Sequence, residues 1–369
     1  MSTEVGEIIP THKIIRIKGV LKNYAWGSLT TLAKHRGDFQ SIEPEAELWF
    51  GDNVHGTSGI LDSSTTLDEV TKDFGSLDFL VKILAVEKNL SLQVHPALGD
   101  IPTRSAIFKD KNHKPEMLVA LTEFHALAGF APIGDVIARI SSLQSEKLNA
   151  LLIRPLQGSM PFTQALNNVL GVIDREGILD EVRAGMGNVA PLHRKWLGEL
   201  LDQYAPKLDP LALLLCEFFV LTPGEAIYIP PRCIHAYLHG SAIEVMANSD
   251  NVVRGGLTNK AIDKSNFLAL ADESVTAQKV DPEKILHLTR WKAPIDDFQI
   301  QECRGRFSLK LSLDRHSIAF CWEGSATIAY QSEPNIASTL RYDVGAFLQP
   351  GEYLVSGEGS LWVASGKGR

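Results

Sequence analysis

Apolar residues in the first third of the chain recur in short runs divided by Gly, Pro, Asp and Ser. Residues 14–20 alternate polar and apolar, Phe79–Val86 is a continuous apolar run, and 92–95, 117–121 and 126–130 are strand-like. Strands this short and this regularly punctuated predict a sandwich or barrel. Near Pro132 the period changes. Residues 136–143, 162–173 and 191–204 carry apolar residues at helical spacing, the last through Trp196, Leu197, Leu200, Leu201 and Tyr204. This block offers few convergent polar residues and reads as an insertion or flanking subdomain. Strand character returns at Leu211 and persists to a hairpin ending near Arg254.

A weak internal echo follows. Leu221-Thr-Pro-Gly-Glu225 returns as Leu348-Gln-Pro-Gly-Glu352, each after an apolar run and before a strand-like one. Pro-Gly is a common turn, so chance is one source of such an echo; if it is real, it implies two related β-units, the second lacking the histidine that follows the first and therefore structural. A chain of 369 residues calls for two or three packed units. Its 36 basic against 44 acidic residues leave a net charge of −8 with no basic tract. That argues against nucleic-acid binding, which needs concentrated Lys and Arg to displace counterions. A small anionic substrate remains compatible, provided the pocket is locally positive.

Four scattered cysteines (Cys216, Cys233, Cys303, Cys321) form no C-x-x-C pair. They read as reduced, buried thiols rather than a disulfide framework or thiolate zinc site. The first residues, Met-Ser-Thr-Glu-Val-Gly-Glu, lack an apolar signal core, and no apolar run approaches the ~18 residues of a membrane span. A cytoplasmic protein is expected, with no membrane association.

Three segments carry chemistry. In Ser91-Leu-Gln-Val-His-Pro96, positions i and i+2 of a strand share a face, so Gln93 and His95 converge. A single strand histidine is more often a hydrogen-bonded core residue than a ligand, so this pair is weak alone. In His113-Lys-Pro-Glu-Met117, Glu116 precedes an apolar strand, where a buried carboxylate must be paired or metal-bound. The bland alternative is an exposed strand-start glutamate. In the segment from Pro223 to His235, Gly224 permits a tight turn, and a second turn after Pro230 delivers His235 onto the next strand.

The spacing of this third segment resembles the second cupin motif, with Arg232 where glycine is usual. Gln93, His95 and Glu116 resemble the first motif, with Gln for the first His and a longer gap. The expected fold is therefore mainly β, cupin-type jelly-roll barrels with an inserted or flanking α-helical subdomain. Residues 1–130 and 216–275 are expected to form the catalytic β domain, 131–215 the helical subdomain, and 276–369 a cupin-like C-terminal β domain without metal.

Two histidines, a carboxylate and an amide oxygen suit one zinc ion with an open position, a net positive site favouring an anion. If His239 to Ala242 closes as a two-residue hairpin around Gly240-Ser241, Tyr237 lies opposite Glu244, and His235 comes diagonal to Glu244. A loop one residue different would turn Glu244 away.

Five motifs together resemble the type I mannose-6-phosphate isomerases: Tyr24-Ala-Trp-Gly-Ser28, Ala46-Glu-Leu-Trp-Phe-Gly51, the Gln93/His95 and Lys114/Glu116 segments, and the run from Glu244 to Lys260. They occur in the family's order up to about residue 268. The resemblance implies a zinc enzyme interconverting mannose 6-phosphate and fructose 6-phosphate, with Gln93, His95, Glu116 and His235 as ligands. It also implies a catalytic Arg254, active-site positions at Lys114, Glu244, Asp250 and Lys260, phosphate contacts at Ser91 and Lys82, and Trp26 and Glu47 lining the pocket. The departures are a shorter segment between the His-Pro and Lys-Pro-Glu elements, Gly255 and Asn259 for common Ala and Pro, and Ala131 for a frequent Arg. Isomerisation through an enediol needs positive charge at the oxygens and a base near carbon. Arg254 is the expected oxyanion stabiliser, Glu244 the candidate base, and Lys114 the candidate for ring opening or proton delivery. An ion pair with Asp250 is the structural alternative for Arg254. A monomer acting on a small sugar phosphate is expected. An iron(II) cupin oxygenase using His95, Glu116 and His235, or a non-catalytic sugar-phosphate-binding protein, are the rival readings.

Overall fold

The computed structural model describes residues 13–367; the acidic N-terminal stretch 1–12 and residues 368–369 lie outside the described residues. Before the helical block run β1 (Ile14–Lys18), β2 (Val20–Lys22), β3 (Glu47–Phe50), β4 (Gly59–Ile60), β5 (Phe79–Val86), β6 (Leu92–Val94), β7 (Glu116–Ala120) and β8 (Phe124–Phe130). After it come β9 (Cys216–Leu221), β10 (Ala226–Ile229), β11 (His235–Ala247), β12 (Val253–Gly256) and β13 (Gln278–Val280). The C-terminal part adds β14 (Glu283–Ile285), β15 (Leu288–Lys292), β16 (Gln299–Leu313), β17 (Ser317–Tyr330), β18 (Glu333–Leu340), β19 (Val344–Leu348) and β20 (Gly351–Ser365). All described pairings are antiparallel, in the mainly β, cupin-type architecture expected from the sequence.

An 11-stranded sheet runs β13-β10-β7-β11-β5-β3-β2, with β6, β12, β8 and β9 attached through β11. A 9-stranded sheet takes the C-terminal strands and also β1 and β4. The first strand thus pairs with β19, some 330 residues later in sequence, Ile14 opposite Leu348. One apolar core, with Ile17, Phe50, Trp291, Phe320 and Trp362, lies between the two sheets.

The helices Ile133–Ser142, Phe162–Val169, Ile178–Gly185 and Pro191–Tyr204 pack as one block over the outer faces of β6, β8 and β11, around Leu92, Val94, Leu127, Ile234 and Leu238. The last helix starts with proline at its first position, where a missing N–H costs nothing, and buries Trp196, Leu197, Leu200, Leu201 and Tyr204 as one stripe. It stops at Ala205, which Pro206 forces out of helical geometry.

Two sequence expectations are corrected. Asp209–Leu214 is a 3-10 helix buried at every position, and the strand begins at Cys216. A short unbroken apolar run has no period by which a buried helical turn differs from a buried strand. The proposed hairpin at Gly240-Ser241 does not form either: β11 is one 13-residue strand. Its first half pairs with β8 and its second with β5 and β7, with a register shift between Tyr237 and His239. Gly240, at φ +114°, lies where the strand bends, and an added Cβ would sit 2.4 Å from the Glu123 carbonyl oxygen. The odd spacing from Tyr237 to Glu244 would place them on opposite faces of a regular strand; the bulge brings both to the same side.

Candidate metal centre and substrate pocket

Register places the site before any side chain is considered. Gln93 on β6 lies directly opposite His235 on β11 and, on its other side, Arg254 on β12. Residues opposite one another share a face, so these three form one row. A second row follows from β11 and β5, where Glu244 faces Lys82, and from β3, where Trp49 faces Lys82. Glu47, two residues before Trp49, points the same way and accepts the Trp49 indole N–H at 2.6 Å.

His95, Glu116 and His235 come together at the floor of the pocket. Their ligating atoms all lie within 4.8 Å of one another, with His95 Nε2 3.0 Å from Glu116 Oε1 and His235 Nε2 3.5 Å from Glu116 Oε2. The Gln93 amide is 3.3 Å from His235 Nε2, and turning it about its last bond presents Oε1 to the same point. Each imidazole is fixed in one tautomer. His95 Nδ1 donates to the Asn251 carbonyl at 2.8 Å, and His235 Nδ1 donates to the Cys233 carbonyl at 3.0 Å. A carbonyl only accepts, so both Nδ1 atoms carry hydrogen and both Nε2 lone pairs face the centre, as in metal sites oriented by their surroundings.

Electrostatics agrees with that assignment. Burial drives the His95 imidazole down to about 3, assisted by the neighbouring Lys114 ammonium. Burial likewise lowers His235. For Glu116 burial works upward, but Lys114, His95 and His235 outweigh it and hold the carboxyl well below its usual range. Two neutral histidines and an ionised carboxylate are the state a divalent cation requires. Lys114 Nζ donates to Glu116 Oε1 at 2.7 Å and lies 3.3 Å from His95 Nε2. It shares the carboxylate a metal would take.

Beside this centre stands a hydrogen-bonded carboxylate pair. Tyr237 Oη lies 3.0 Å from Glu116 Oε2 and 3.1 Å from Glu244 Oε1, and Lys82 Nζ lies 3.1 Å from Glu244 Oε2. Burial raises the Glu244 carboxyl and the negative Glu116 adds to it, against the opposing pull of Lys82 and Lys114. Burial opposes the charged form of Lys82, but Glu244, Glu47 and Glu116 override it and hold the ammonium above its ordinary range. Lys82 is 6% exposed and already matched by a carboxylate, so it belongs to the pocket's floor.

The remaining sequence candidates line the same cavity of about 730 Å³: Trp26, Glu47, Ser91, Asp250, Arg254 and Lys260. Asp250 pairs with His55 at 3.3 Å, not with Arg254. Among the described residues the Arg254 guanidinium has no hydrogen bond or ion pair, and it faces the cavity. Lys260 Nζ has only the Tyr24 ring, 5.5 Å away. All thirteen side chains singled out from sequence therefore meet in one place.

Sequence reasoning missed others. Trp49 was within reach, since it follows Glu47 at i+2. Lys88, Asn89, Lys109, Gln203 and Tyr204 also line the pocket, and the last two come from the helical block, where no motif marked them. The turn that delivers His235 explains the unusual Arg232. Its φ is +67°, a region that favours glycine. Its guanidinium grips Asp100 at 2.5 and 2.9 Å, and its amide donates to the His95 carbonyl at 2.8 Å. The departure at Gly255 also has a local cause: a Cβ there would lie 2.5 Å from the Phe267 ring.

Comparison with known proteins matches this arrangement. The family model for the phosphomannose isomerase type I catalytic domain matches residues 14–133. The mannose-6-phosphate isomerase of Escherichia coli strain K12 is 32% identical over 364 residues, covering 84% of this chain and 88% of that protein. The human mannose-6-phosphate isomerase is 27% identical, covering 85% and 88%. A crystal structure of the Salmonella typhimurium enzyme, bound to fructose 6-phosphate and zinc, superposes with a TM-score of 0.84 at 26% identity, over 96% of this chain and 100% of that one. Sequence motifs, sheet register and whole-chain similarity converge, and the chain belongs to the type I mannose-6-phosphate isomerase family.

Proposed function

We propose that the chain interconverts mannose 6-phosphate and fructose 6-phosphate with one zinc ion held by Gln93, His95, Glu116 and His235. The observation that carries this reading is the row His235–Gln93–Arg254, which sets an unpaired guanidinium beside a ligand cluster of fixed tautomers. When bound, zinc supplies concentrated positive charge near the sugar's C1 and C2 oxygens. Arg254, always charged and fork-shaped, stabilises the enediolate oxygen. Glu244 takes the C2 proton of the aldose, exchanges it with solvent at the enediol stage and delivers a proton to C1, while the O2 hydroxyl gives up its proton and O1 gains one; its raised pKa makes it a stronger base than an ordinary carboxylate. Lys114, released from Glu116 when a cation takes that carboxylate, is placed to assist ring opening.

The phosphate is assigned to the cavity's cationic rim, with Ser91, Lys260 and Lys109 in reach of the opening, and Lys82 to the floor, where it tunes Glu244. Asp250, Trp26 and Glu47 shape the walls. We further propose the domain division 1–130 with 216–275, 131–215, and 276–369, the first strand tying the first unit to the last. A monomeric state is proposed as well. Four buried free thiols support a cytoplasmic setting, and no described helix is long and apolar enough to cross a membrane. The acidic net charge supports the absence of nucleic-acid partners. Neither an oxygenase nor a non-catalytic sensor gains an observation of its own. The test is conversion of mannose 6-phosphate in deuterated water. Fructose 6-phosphate carrying deuterium at C1, with mannose 6-phosphate recovered from the equilibrium carrying it at C2, is expected; oxygen uptake without isomerisation would refute the assignment.

A further inference from the structure

The helical block reaches into the pocket at one point. Its longest helix ends at Tyr204, against the loop that follows Arg254. In that loop Leu257 has φ +52° and a fully buried side chain. Left-handed backbone is unfavourable for leucine, so its surroundings must impose the turn. Its carbonyl accepts from Tyr204 Oη at 2.7 Å and from Asn89 Nδ2 at 3.2 Å. A tyrosine hydroxyl has one proton, and the 2.7 Å contact uses it. Gln203 Nε2 at 2.8 Å and Asn89 Nδ2 at 3.1 Å donate to the oxygen's lone pairs. Tyr204 and Asn89 are both buried. From the other side, the buried Asp209 carboxyl is raised by burial and opposed by the Gly171 amide, Lys207 and the Leu257 amide.

Among the described residues, the two cations flanking this turn, Arg254 three residues before and Lys260 three after, have no protein hydrogen bond or ion pair at their charged ends. The pairing with β6 places the Arg254 backbone, which leaves the turn after β12 and its approach to Lys260 to be held. We infer that the helical block is the positioning device of the Arg254–Lys260 loop, with Tyr204 as the positioning residue whose hydroxyl holds the left-handed turn at Leu257. The clamp stands on geometry; its kinetic consequence rests on the isomerase reading.

Tyr204→Phe removes one oxygen and keeps the ring. Amides of residues 254–260 should then exchange hydrogen about tenfold faster, while those of the helix Pro191–Tyr204 hold their rates. Turnover should fall about tenfold, with KM within about twofold and zinc content unchanged, because the lost contact acts on the transition state. In an Arg254→Lys background the same substitution should change turnover by only about twofold, since residues acting through one another are not additive. A purely structural loss would multiply equally in both backgrounds. Unchanged exchange at 254–260 overturns the clamp, and equal kinetic factors in both backgrounds overturn its action through Arg254. An unsubstituted protein without isomerase activity would sink the enzymatic reading instead, leaving the exchange result to decide the clamp.

Discussion

The backbone carbonyl of Asn251 accepts the Nδ1 proton of His95, a ring 156 residues away in the chain. The side chain of the same asparagine holds the loop between His95 and Glu116. Its Oδ1 accepts the amides of Lys109 and Asp110 at 2.7 and 3.2 Å, and its Nδ2 donates to the Asn112 carbonyl at 2.8 Å and Asp110 Oδ1 at 2.9 Å. One buried residue thus fixes both the tautomer of His95 and the segment that delivers Glu116.

Asn251→Ala keeps the carbonyl but frees the loop. Zinc affinity, measured by competition with a chromophoric chelator, should weaken about 10- to 100-fold, the usual range for groups that orient ligands. Unaltered affinity would show that His95 and Glu116 need no such support.

Arg232 separates backbone strain from ion pairing. Both Arg232→Gly and Arg232→Ala lose the contact with Asp100, but only glycine adopts φ +67° without penalty. Denaturant unfolding should find the glycine variant more stable than the alanine variant by about 1 kcal/mol. Equal stabilities would mean the turn stores no strain.

As the proposed base, Glu244 must be ionised to accept a proton from carbon. Its pKa is raised above 4.5, so kcat/KM should fall as pH drops through that higher value, on an acid limb above the ordinary glutamate range. Lys82 opposes the rise, so Lys82→Met should move the limb to still higher pH. A raised KM with an unmoved limb would instead return Lys82 to a phosphate contact. Glu244→Gln should abolish both the limb and exchange of the substrate's C2 proton with solvent; near-normal exchange would remove it as the base.

Much of this site was legible in the linear chain because strand period is rigid. Gln93 and His95 had to share a face whatever the rest of the fold, while Glu47 was legible only through the motif that resembles the family's. Glu244 was placed on the correct side for the wrong reason. A hairpin was expected at Gly240, and a bulge in a continuous strand does the work. Bulges depend on partner strands, which local sequence does not reveal. The pairing of Ile14 with Leu348 left no local mark either. Nor did the contribution of Gln203 and Tyr204, which sit at the end of an ordinary amphipathic helix. Their role depends on the carbonyl they meet across the fold.

The central claim is that one zinc ion, held by Gln93, His95, Glu116 and His235, is what makes this pocket an isomerase. It is tested most directly by titrating zinc into metal-stripped protein while following mannose 6-phosphate conversion. Activity should vanish on stripping and return linearly, saturating at one zinc per chain. Full turnover by the stripped chain, or saturation unaffected by replacing Glu116 with Gln, would contradict it.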